Sequence, residues 1–183
     1  MSQSFKDWIQ VVSWVVLSVG GLVAAFKAIY EVEQNREQRV DELRWRRANV
    51  AKQTLDELFS NPYSQNAALI LDWSERRRKF EIKEGHSRAI SYGEVLAVLG
   101  KPPESAFDEK DIFITDCFDC FFYLIDHIEN SVRIKLISFE DVDAPLRRYA
   151  KKIRVHRETY EKFMKSHECR LAIEFFKRFD SMA

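Results

Sequence analysis

The most apolar part of the chain comes first. From Trp8 to Phe26 it reads WIQVVSWVVLSVGGLVAAF, without a charged residue, between Asp7 and Lys27. At about 1.5 Å per residue such a helix matches the ~30 Å hydrocarbon core of a bilayer, so the pattern predicts a transmembrane helix over 8–30 after a short external N-terminus, 1–7. Trp8, Trp14 and Tyr30 would serve as interfacial rings. A cleavable signal peptide fits less well, because Lys6 is offset by Asp7 and Ala24-Ala25-Phe26-Lys27 runs on into a helical pattern. Basic residues follow the block (Lys27, Arg36, Arg39, Arg44, Arg46, Arg47) with Lys6 alone before it, which predicts a cytoplasmic C-terminal domain and an outside N-terminus. Gly20, Ala24 and Ala28 recur at one-turn spacing, a face on which two spans could associate as a homo-oligomer.

Beyond Tyr30 the pattern changes. No Pro or Gly interrupts the charged, helix-favouring stretch to Ser60, which predicts a helical stalk over 31–60. Ser60-Asn61-Pro62 ends it, since proline restricts the residue before it. Within 61–183 the spacing predicts a second helix over about 64–79 and a short helix opened by the capping box Ser91-Tyr92-Gly93-Glu94 and closed at Gly100. A central helix over 112–132 follows, then a helix starting at Ser138-Phe139-Glu140-Asp141 and two amphipathic tail helices divided near Ser166-His167. Asp116, Asp119, Asp126 and Glu129 exclude the central helix as a second span. The expected class is all-α: an N-terminal transmembrane helix, a stalk, and a compact cytosolic bundle of about five helices.

Composition narrows function more than fold. The 183 residues carry Lys+Arg 29 against Asp+Glu 29, which excludes a broad nucleic-acid footprint. Gly 5 and Pro 4 leave little for phosphate loops or a turn-rich β fold, and Cys 3 argues against a disulfide framework. Cys117-x-x-Cys120 has the spacing of a metal or redox pair, but His127, His167 and Cys169 do not complete a zinc pattern, so these thiols read as core residues. No metal, cofactor or catalytic residue is expected. Asp116 and Asp119, within one turn, would be either paired carboxylates of an enzyme or partners for arginines in the bundle.

The strongest charge signal is Arg147, Arg148, Lys151, Lys152, Arg154 and Arg157, with no acid between Asp143 and Glu158. Such a face is either solvated or drawn to the anionic surface of a lipid bilayer, or it holds a phosphate-bearing ligand. A second run, Arg76-Arg77-Arg78-Lys79, falls at the expected end of the second helix.

Leu71-Asp72-Trp73, Asp116-Cys117-Phe118-Asp119, Phe139-Glu140-Asp141-Val142 and Arg178-Phe179, over Arg44 to Phe179, resemble an uncharacterised bacterial family of small membrane-anchored helical proteins. The resemblance implies a bacterial inner-membrane location and carries no catalytic residue. The layout is also similar in architecture to small membrane effectors of antiphage defence systems. The leading expectation is a membrane-anchored, non-enzymatic interaction or sensing module whose helical domain binds a protein partner or a phosphate-bearing signal. The alternative is a defence effector that oligomerises to disrupt the membrane.

Overall fold

The computed structural model describes the backbone of residues 3–73, 77–102 and 104–180; within the first helix, the side chains of 3–13, 15–25, 28–29 and 37 lie outside the description. Its helices are α1 (Gln3–Ser60), α2 (Pro62–Asp72), α3 (Tyr92–Leu99), α4 (Glu109–Arg133), α5 (Glu140–Val155), α6 (Arg157–Ser166) and α7 (Arg170–Asp180). Strands β1 (Arg78–Lys83) and β2 (His86–Ile90) form an antiparallel hairpin between α2 and α3.

Two parts of the expected class are corrected. Among the described residues, no helix is long and apolar enough to cross a membrane, so the transmembrane helix over 8–30 is not found. Lys27 lies 3.8 Å from Glu31 and Arg46 2.6 Å from Glu42, both exposed pairs of a kind suited to water. The expected span-association face, Gly20, Ala24 and Ala28, lies outside the residues whose side chains are described.

The second correction is the hairpin, which replaces the all-α class: α2 ends at Asp72, and β1 takes Arg78 and Lys79, the last two residues of the expected helix 64–79. Arg78-Lys79-Phe80-Glu81-Ile82-Lys83 alternates, with Phe80 buried and Ile82 half-buried, and Gly85 turns the chain at φ 75°. That left-handed conformation suits glycine because it has no Cβ. Phe80 then packs its ring 6.2 Å from Phe113 of α4, which supplies the apolar support a two-stranded ribbon lacks by itself.

The chain divides into two compact units, 1–46 and 47–183. The second unit takes in the last turns of the expected stalk, where Ala51 and Leu58 are buried. Asn61 opens α2, its side-chain oxygen accepting from the backbone N–H groups of Tyr63 (3.0 Å) and Ser64 (3.2 Å), with Pro62 in the first turn where its missing N–H is harmless. The capping box at Ser91 forms as expected, and a second one at Asp108 and Asp111 starts α4 three residues earlier than the apolar pattern suggests.

α4 is the centre of this unit, packed by α2, α3, α7 and β1. Phe118, Phe121, Phe122, Tyr149, Tyr160 and Phe175 are fully buried. The Phe122 ring lies between 5.6 and 6.1 Å from those of Phe118, Phe121, Tyr160, Phe163 and Phe176. Each such ring pair contributes about 0.5–1.5 kcal/mol beyond its buried area.

One buried acid joins this core. Glu129 has 0% exposure, and its carboxylate accepts from Arg178 Nε (3.0 Å) and Nη2 (2.6 Å) and from Arg133 Nε (3.2 Å), locking α7 onto α4. Asp126 accepts from the Ala172 N–H (2.9 Å), capping the first turn of α7 from outside.

Candidate functional site: a cleft along α4

The six basic residues singled out above do not share one surface. His156 interrupts the helix, leaving Arg157 in α6 while the other five stand on α5. Arg147 forms a two-pronged pair with Asp143, one turn earlier. Arg148 lies 3.3 Å from Asp72 of α2, with its guanidinium against the Tyr149 ring at 4.6 Å. Arg154 (3.5 Å) and Arg157 (2.6 Å) both reach Asp180, and Arg157 also bonds Glu161 (2.7 Å). Lys151 is exposed and Lys152 half-buried. The space lined by Arg154, Arg157 and Asp180 is about 20 Å³, room for about one water.

The expected thiol pair is equally occupied by structure. Cys117 is buried, and burial pushes its thiol far up from the ordinary value, reinforced by Asp116. Cys120 donates its S–H to Asn61 Oδ1 at 3.2 Å. The Cys169 thiol is pushed up to about 12, chiefly by burial. None of the three has the lowered pKa of a reactive cysteine. Among the described residues, no group of three or more His, Cys, Asp or Glu is placed to hold a metal ion.

The aspartates of α4 separate. Asp126 is used as the cap of α7, whereas Asp116 and Asp119 enter no ion pair among the described residues. Asp116 stands exposed, and its pKa is raised, first by desolvation and then by the like charge of Asp119.

Asp116 lies where two clefts meet. One, of about 330 Å³, sits between α3, α4 and α6 and is lined by Lys101, Phe107, Ile112, Thr115, Phe163 and His167 among others. The other, about 220 Å³, shares Ile112 and Asp116 and continues to Tyr63 and Ile82. A third, about 520 Å³, shares Ile82 and Glu109 and runs along β2 past His86, Arg88 and Ala89. Together they follow the exposed edge of α4 from the end of α6 to the hairpin. Ile112 (49% exposed) and Tyr63 (47% exposed) put apolar surface into this groove.

Local pairs fix its walls. Lys101 is held by Asp111 and lies 5.5 Å over the Phe107 ring, Lys110 bonds Glu94 at 3.0 Å, and His167 stacks on Phe163 at 3.9 Å. The Glu94 carboxyl falls to about 2, mainly because the Ser91 hydroxyl and backbone N–H donate to it, with Lys110 adding a third bond. Sequence reasoning marked Asp116 and missed the rest of the groove, because the hairpin that forms one end of it was not foreseen.

No family model, no curated protein and no solved structure matches this chain. The comparisons therefore add nothing in favour of the membrane and antiviral-defence roles expected from the layout, and the transmembrane helix of that layout is withdrawn.

Proposed function

We propose that the chain is a non-enzymatic interaction module whose 47–180 region binds an extended segment of a protein partner along the α4 groove. The observation that carries this reading is the run of three adjoining clefts, with Ile112 and Tyr63 exposed in the middle and β2 at one end. Among the described residues β2 pairs with β1 alone, and His86–Ala89 are exposed. An edge strand beside a groove is a template on which an extended segment adds backbone hydrogen bonds while its side chains enter the clefts. The basic face of α5 and α6 supports a phosphate-bearing ligand less well, because carboxylates already meet Arg147, Arg148, Arg154 and Arg157 where they stand.

A photo-crosslinking residue placed at Ile112 in cells tests the proposal against the same residue at Val155, an even more solvent-facing position on α5. A discrete protein adduct from position 112, absent from position 155 and lost when Tyr63→Glu is added, is expected. Identical adducts from both positions, or none from 112, would contradict it.

A further inference from the structure

Among the described residues, the 1–46 unit holds one helix, the first part of α1, and no second element to pack against it. Phe26 (72% exposed), Val40 (53%) and Leu43 (56%) therefore stand in solvent. A helix in a protein owes most of its stability to the packing of an apolar face, and here that face has no cover within its own unit. Positions 26, 29, 33, 36, 40 and 43 alternate in steps of three and four, the spacing of a coiled-coil seam, and by sequence they are Phe, Ile, Glu, Arg, Val and Leu. Two charges interrupt the middle of that seam. Glu33 and Arg36 are exposed and enter no ion pair among the described residues, whereas Lys27 pairs with Glu31 and Arg46 with Glu42 along the same helix.

We propose that the 26–43 stretch of α1 is a self-association surface, pairing antiparallel with the same stretch of a second copy of this chain. In an antiparallel pair the first seam position of each heptad faces the second seam position of the other helix. With the two-fold axis between positions 34 and 35, Phe26 meets the partner's Leu43, and position 29 meets the partner's Val40. Glu33 then meets the partner's Arg36, and Arg36 the partner's Glu33, so both interrupting charges are answered at the centre. Sliding the register by one heptad sets each of these charges against an apolar residue, which fixes this alignment. A parallel pair would set Glu33 against Glu33 and Arg36 against Arg36, and on its flank Arg39 against Arg44. Charge complementarity thus selects both the occupant and its direction. The contact would run about 27 Å at 1.5 Å per residue. It goes beyond the partner-binding reading, which concerns the α4 groove of the other unit.

Sedimentation equilibrium of the full chain tests the assignment. A reversible dimer is expected for the parent chain. Glu33→Arg alone, or Arg36→Glu alone, places two like-charge contacts at the centre and should weaken the dimer about a hundredfold or more. Both changes in one chain should restore it, and an equimolar mixture of the two single variants should form a heterodimer. Both positions are exposed, so circular dichroism of every variant should match the parent. The proposal is overturned by a chain that stays monomeric at about 100 μM, by a dimer that neither single reversal weakens, or by a double reversal no tighter than the single ones. None of these variants touches the α4 groove, so the crosslink from position 112 is judged on its own.

Discussion

Glu129 and Asp116 lie on the same helix and were given opposite tasks. Glu129 is fully buried and answered by Arg178 and Arg133, so its charge is a fastening between α4 and α7. Asp116 is exposed at the mouth of a cleft, enters no ion pair among the described residues, and is pushed toward its neutral form. A charge that the fold satisfies holds the fold together, while one that the fold leaves unmet is available to something outside it. The same contrast separates the basic residues of α5 and α6, met by Asp143, Asp72, Asp180 and Glu161, from the α4 groove.

The largest effect should come from breaking the satisfied pair. Glu129→Ala removes the buried carboxylate that ties Arg178 and Arg133 to the core, and because both arginines are partly exposed the loss is that of charge-assisted hydrogen bonds, about 1.5–3 kcal/mol. Chemical denaturation would read this as a large drop in midpoint. Asp126→Ala removes the acceptor that caps α7 and should lower stability by about 1 kcal/mol in the same assay.

Smaller effects distinguish the carboxylates by sign. Asp116 has a raised pKa in the folded chain, so its ionisation opposes folding and stability declines as pH rises from the ordinary 3.8 through the raised value. Asp116→Asn should therefore match or slightly exceed the parent in stability at neutral pH. Glu94 is the reverse: depressed from 4.5 to about 2, it contributes stability fully present above pH 4.5 and lost as pH falls through about 2. Glu94→Gln should flatten the stability profile between those values, a modest change because the group is largely solvated. Arg147→Gln, which breaks an exposed pair, should leave the thermal midpoint unchanged within error.

What was legible in the sequence was local. The break at Asn61-Pro62, the capping box at Ser91 and the apolar face of α4 depend on residues within one or two turns, and each is in the structure. The Glu129–Arg178 pair joins positions 49 apart, and no spacing rule connects them. The hairpin escaped because its strands are short and mostly polar, with Phe80 and Ile90 their only fully buried apolar residues. The basic run was the loudest signal and proved the most internally compensated, since its acids lie on α2, on α7 and one turn away along its own helices. The Asp116 region was visible only as acids on a helix, without the walls that make a cleft of it.

Hydrogen–deuterium exchange of the full chain, with and without a synthetic copy of the segment captured at position 112, tests the groove most directly. Slowed exchange at the edge of β2, over 86–90, and in the first turns of α4, over 109–116, with no change over 147–157, is the predicted result. Protection over 147–157 with none at β2 would contradict the account and return function to the basic face.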